Sequence, residues 1–68
     1  MTERVQEIVS DVLLREVPVE APRDWDSMQN LNIVVALEQE FELIFEPEDF
    51  EQMLSVQHIV ELIARKQG

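Results

Sequence analysis

The 68-residue chain is expected to fold as an all-α domain, a small four-helix bundle of three main helices and one short helix. Three observations lead there. Apolar residues recur three and four positions apart in three separate segments, the spacing of a helix face. Prolines occur only between segments, at Pro18 and Pro22, or where a helix can begin, at Pro47. The one short apolar run that resembles a strand, Leu43-Ile44-Phe45, has no second strand to pair with, so it is expected to be a loop whose side chains plug the bundle.

The first segment runs from Thr2 to Leu14, with Val5, Ile8, Val9, Val12 and Leu13 on one stripe and Thr2 as its expected cap. Val17-Pro18 and Ala21-Pro22 then break the helical pattern, because proline disfavours helical geometry in the residue before it and lacks an N–H. Residues 15 to 25 are therefore a loop. The second helix is expected to start with Asp26 as N-cap, its carboxylate accepting from Met28 and Gln29, and Gln29 reaching back in a capping-box manner. Ser27 then takes the first helical position, and the helix continues to Phe41. At 100° per residue, Ile33, Val34, Leu37 and Phe41 gather on one side and Met28, Leu31 and Val35 on another. One face is core, and the second either packs on a helix or looks outward at a partner. A short helix spans Pro47 to Gln52, with Glu48 and Asp49 in its first turn. Ser55 caps the last helix, whose stripe is Val56, Ile59, Val60 and Ile63, with Leu54 stapling onto Ile59 and Arg65 and Lys66 complementing its C-terminal dipole.

Length and composition bound the function. A chain this short is expected to be one domain, residues 1 to 68, hiding only about 60% of its unfolded surface and leaving no room for a deep substrate cavity. Without cysteine there is no disulfide and no thiolate chemistry, and a reducing cytoplasm is the expected compartment. No apolar run is long enough to span a membrane, and the N-terminus lacks the apolar centre of a signal peptide. Fifteen acidic against five basic residues give a net charge of −10, and no lysine or arginine occurs from Asp24 through Ala64. Such a surface repels nucleic acid and anionic lipid and steers toward basic protein partners; it also simply keeps a protein soluble.

Few residues here can carry chemistry. A serine nucleophile needs a base held by a third group, and the only histidine, His58, lies off the apolar stripe of the last helix as an expected surface residue. Asp26 is committed to its cap and is too weak a base to ionise the neighbouring Ser27. The acids Glu46, Glu48, Asp49 and Glu51 lack the glycine turn of a calcium loop, the sole glycine being Gly68, so no metal is expected. The chain is thus not expected to be an enzyme. What Ser27 does have is position: a helix N-terminus presents free N–H groups and partial positive charge, a seat for a phosphate attached there, and the hydroxyl follows an exposed loop. Serine is also an ordinary residue for a first helical turn.

The ordered set D-S-M at 26 to 28, L-x-I-V-V-A-L-E-Q-E-F at 31 to 41, P-E-D-F at 47 to 50 and S-V-Q-H-I-V-E-L-I at 55 to 63 resembles the acyl carrier protein family. The likeness spans residue 24 to the end and is consistent with the first helix. It implies a four-helix fold with a short third helix. It further implies that Ser27, in a motif with Asp26, receives 4′-phosphopantetheine from coenzyme A, with a separate phosphopantetheinyl transferase supplying magnesium and base. The cofactor would bring the sulfur that this cysteine-free chain lacks. By position, Met28 replaces the family's usual leucine. Met28 and Val35 would dock partner enzymes, a loading ligase and downstream synthases, with Glu38 and Glu40 meeting their basic residues. Ordinary bundle packing is the other reading of Met28 and Val35. Ile33, Leu37, Phe41, Ile44, Phe50, Ile59 and Ile63 would line the interior where some family members shelter acyl chains, plain core being the simpler reading. Many fatty-acid carriers have acids where this chain has Asn32 and Gln39, and D-S-M is similar to carriers of activated amino acids such as the D-alanyl carrier proteins. The expectation is a monomeric acyl or aminoacyl carrier for a dedicated pathway. The alternative is an unmodified acidic adaptor that binds a basic protein through its second helix.

Overall fold

The computed structural model describes all 68 residues, Met1 to Gly68, and contains three α-helices and one 3-10 helix with no strand. Helix α1 (Thr2–Leu13) buries Val5, Ile8 and Val9 and half-buries Val12 and Leu13, the stripe expected from their spacing. Thr2 is not its cap. Met1 takes the N-cap position with no side-chain hydrogen bond, and the first helical bond runs from the Val5 N–H to the Met1 carbonyl, so Thr2 already lies inside the first turn. The helix ends one residue earlier than expected because Leu14 turns left-handed at φ 58°, where its N–H bonds Asp11 and the Arg15 N–H bonds Ser10.

The loop that follows is tied down along its length, which its prolines alone would not do. Val17 is buried; its N–H donates to Ser10 Oγ at 3.1 Å, and its carbonyl accepts from Gln6 Nε2 at 2.8 Å. Further on, the Arg23 N–H donates to the Leu54 carbonyl at 2.7 Å and the Gln57 N–H to the Val19 carbonyl at 3.0 Å. Both partners flank the start of the last helix, so the loop before Asp26 is fastened to the far end of the chain. Arg15 and Asp24 pair across its outer side.

Helix α2 (Ser27–Phe41) buries Asn30, Ile33, Val34 and Leu37, while Phe41 is half-buried. It stops at Glu42, left-handed at φ 53°, whose N–H returns to the Glu38 carbonyl. Residues 43–46 form the expected loop, but not all of its apolar side chains plug the bundle. Phe45 is buried and Leu43 half-buried, whereas Ile44 is 76% exposed. The expectation that Ile44 lines the interior is therefore corrected: with Phe45 turned inward, the residue before it in an extended segment points to the opposite side.

The short helix occupies Pro47–Gln52 as expected, in 3-10 form, with Asp49 bonded back to Glu46. Helix α3 (Val56–Gln67) is capped by Ser55, whose Oγ accepts from the His58 N–H at 3.2 Å. Its buried residues are Val56, Ile59, Leu62 and Ile63; Val60 is only half-buried. Leu54, the residue before the cap, stays 54% exposed, while Ile59 is fully enclosed. Packing places α1 across both α2 and α3, with the 3-10 helix against α3. Fourteen buried apolar residues form one core cluster in a body of 29 × 22 × 19 Å. No helix is long and apolar enough to cross a membrane.

Candidate functional site at the start of α2

Ser27 is the first residue of α2 and is exposed. The turn that presents it is built by Asp26, extended at ψ 178°, whose Oδ1 accepts from the Gln29 N–H at 2.8 Å and whose carbonyl accepts from the Asn30 N–H at 3.0 Å. The capping bond goes to Gln29 alone, not to Met28 as well, and Gln29 makes no return bond to Asp26; its side-chain carbonyl instead meets the Asn32 amide at 3.5 Å. A helix start leaves its first N–H groups without internal partners, so those of Ser27 and Met28 face the tip with the positive end of the helix dipole.

The residues just before the serine are anchored from below. Trp25 is buried, and its indole Nε1 donates to Asn30 Oδ1 at 2.9 Å. The Asn30 amide nitrogen in turn faces Met53 Sδ at 3.7 Å. Arg23 Nε donates to the Trp25 carbonyl at 3.1 Å. Beside the tip is an open groove of about 400 Å³, lined by Arg23, Ser27, Asn30, Leu31, Phe50 and Glu51. A groove of about 440 Å³ along α1 is lined mainly by Glu3, Glu7, Asp11, Glu16 and other polar residues and lies away from Ser27 in sequence and in lining.

Along the outer face of α2, Met28 is 73% exposed, Leu31 50% and Val35 51%, so the second apolar face looks outward and is not packed on another helix. The two acids expected beside it are engaged within the fold. Glu38 Oε2 accepts from the Phe45 N–H at 2.9 Å and holds the loop after α2. Glu40 accepts from Arg4 at 2.7 Å, a bond that clasps α1 to α2 and holds the Glu40 carboxyl below the usual carboxylate range. Arg4 also pairs with Glu7, and the two carboxylates hold its guanidinium still more firmly protonated. No base stands ready for Ser27. The His58 ring is exposed, as expected, but its Nδ1 is 2.6 Å from Ser55 Oγ at the cap of α3.

Asn30 and Arg23 were not singled out from the sequence. For Asn30 a signal exists: it lies three and four residues before Ile33 and Val34, on the buried stripe, and a polar residue on such a stripe needs a partner. Arg23 carries no comparable signal, because its place in the groove depends on how the loop is fastened to Leu54. Compared with protein-family models and with curated proteins, the chain matches none of them.

Proposed function

We propose that this protein is a carrier of the acyl carrier protein kind: Ser27 accepts 4′-phosphopantetheine, and the chain presents an acyl or aminoacyl group to the enzymes of a dedicated pathway. The observation that carries the reading is the exposed serine at the first position of α2, directly after its capping aspartate and under unpaired N–H groups. A three-helix bundle with a short fourth element between the last two helices supports it. So does the ordered likeness from Asp24 to the end of the chain.

In the attachment step the Ser27 oxygen forms a bond to the pantetheine-side phosphorus of coenzyme A. The diphosphate bond breaks, adenosine 3′,5′-bisphosphate leaves, and the serine proton passes to a base of the transferase. The attached group supplies a terminal thiol that holds cargo as a thioester. This chain's own residues do the rest. Asp26 fixes the turn, the open N–H groups and helix dipole favour a phosphate at that position, and Arg23 is the only cation lining the adjoining groove. Catalysis is left to partners, which fits a serine with no activating base beside it. Met28 and Val35 offer apolar anchors to those partners, and a net charge of −10 favours a basic docking surface.

Intact-mass measurement tests the proposal. After incubation with coenzyme A, magnesium and a broad-specificity transferase, the wild type should gain one phosphopantetheine and Ser27→Ala none. The exposed stripe Met28, Leu31 and Val35 also suits a second reading, an unmodified adaptor for a basic protein. An unchanged wild-type mass would remove the carrier reading and leave the adaptor.

A further inference from the structure

Resting on the carrier reading, we infer that Asn30 seals the bundle interior against whatever hangs from Ser27, so that the cargo is a short acyl or aminoacyl group kept in the open groove. It is not a long alkyl chain sheltered in the core. Ser27 and Asn30 line the same groove, one at its rim and the other, 2% exposed, on the side toward the core. Asn30 is held on both sides, by the Trp25 indole N–H at 2.9 Å and by Met53 Sδ at 3.7 Å. Behind it Ile33, Met53, Ile59 and Ile63 are wholly enclosed.

An alkyl chain entering from Ser27 would have to part Asn30 from Trp25 in a dry place. That strands an indole N–H and an amide oxygen, and each stranded group offsets roughly one to four methylene burials. An apolar residue at position 30 would set no such barrier. The groove outside offers the opposite environment. Arg23, with its Nε held by the Trp25 carbonyl, and Glu51 provide both signs of charge, and Leu31 and Phe50 provide a small apolar surface. A carboxylate or an ammonium on a short cargo finds a counter-charge there; a dozen methylenes do not find cover.

The test loads the protein from acetyl-, octanoyl- and dodecanoyl-coenzyme A with the same transferase, checks each product by intact mass, and records melting temperature and Trp25 emission. Trp25 is the only tryptophan, so its emission reports the gate directly. In the wild type the acetyl and dodecanoyl forms should melt within about 4 °C of each other, because sheltering even a few methylenes would shift the midpoint by more. The emission maximum should not move with chain length. In Asn30→Ala, which opens space below Ser27, the dodecanoyl form should melt more than about 4 °C above the acetyl form. A larger wild-type difference, or an emission shift that grows with chain length, overturns the inference while leaving the carrier reading intact. A flat response in Asn30→Ala overturns the assignment to Asn30. If that variant does not fold, the wild-type series decides alone. Failure of the wild type to gain mass overturns the carrier reading and the inference with it.

Discussion

Replacing Asp49 by alanine removes two bonds at once, because a single oxygen, Asp49 Oδ2, accepts from the Glu46 N–H and from Lys66 Nζ, each at 2.7 Å. The first closes the 3-10 helix; the second ties that helix to the end of α3, where Lys66 also lies 5.7 Å from the centre of the Phe45 ring. A hydrogen bond to an ionised acceptor contributes about 1.5–3 kcal/mol. The ion pair, with side chains 10% and 21% exposed, adds on the order of 1 kcal/mol. Against this, removing one negative charge from a chain of −10 relieves self-repulsion. The expected loss for Asp49→Ala is therefore near the low end, about 2 kcal/mol, or roughly 8–16 °C in melting temperature for a domain this small.

A double-mutant cycle with Lys66→Met isolates the pair, because the single variants carry −10 + 1 = −9 and −10 − 1 = −11 and the double variant returns to −10. Urea unfolding followed by circular dichroism should give a coupling of about 1 kcal/mol. The pH dependence supplies the sign. The hydrogen bond from Lys66, followed by that from the Glu46 N–H, holds the Asp49 carboxyl below its usual range, and burial only partly opposes them. A carboxyl whose folded pKa is depressed contributes stability that is complete above its unfolded value, about 3.9, and is lost as pH falls through the folded value. The stability difference between wild type and Asp49→Asn should thus be constant above about pH 5 and close in stronger acid. A coupling indistinguishable from zero, or a difference unchanged down to about pH 2, would refute this account of how the last third of the chain is held.

Leu14 is left-handed at φ 58° and 90% exposed, so Leu14→Gly should raise the urea midpoint, by up to about 1 kcal/mol in stability; a lower midpoint would contradict the assigned helix end. Leu37→Ala, at a fully enclosed side chain, should cost about 2–5 kcal/mol, whereas Ile44→Ala, at an exposed one, should stay within about 0.5 kcal/mol. Equal losses at the two sites would show that the inward and outward sides of the α2 end are misassigned. Raising sodium chloride from about 10 to about 200 mM should raise the melting temperature, since screening weakens repulsion within a chain of −10 more than it weakens a few surface pairs; a falling midpoint would put those pairs ahead of the net charge.

Local rules made much of this protein legible in advance. The starts of α2 and of the 3-10 helix follow from Asp26 and Pro47, because a cap and an N1 proline act within one turn and need no distant partner. The stripes Val5, Ile8, Val9 and Ile33, Val34, Leu37 likewise follow from helical period. Where several residues shared one chance, local rules were not enough. Leu43, Ile44 and Phe45 are alike in sequence, and only in the folded chain, where the Glu38 carboxylate accepts from the Phe45 N–H, does Phe45 turn inward and Ile44 outward. Thr2 was a better cap by type than Met1, yet the helix starts one residue sooner.

By itself the sequence determined that the chain would be helical, where most helices begin, and that Ser27 would stand at a helix start behind a capping aspartate, since each of these rests on interactions reaching no more than four residues. Tertiary structure alone decided that the outer face of α2 is open, that Glu38 and Glu40 are already bonded within the fold, and that Trp25, Asn30 and Met53 meet beneath the serine. Asn30 and Met53 lie 23 positions apart, and Glu40 lies 36 from Arg4. No periodicity encodes such pairings. They arise when α1 packs across α2 and α3 and the proline loop is drawn onto the cap of α3, bringing polar groups into dry places where they must find each other.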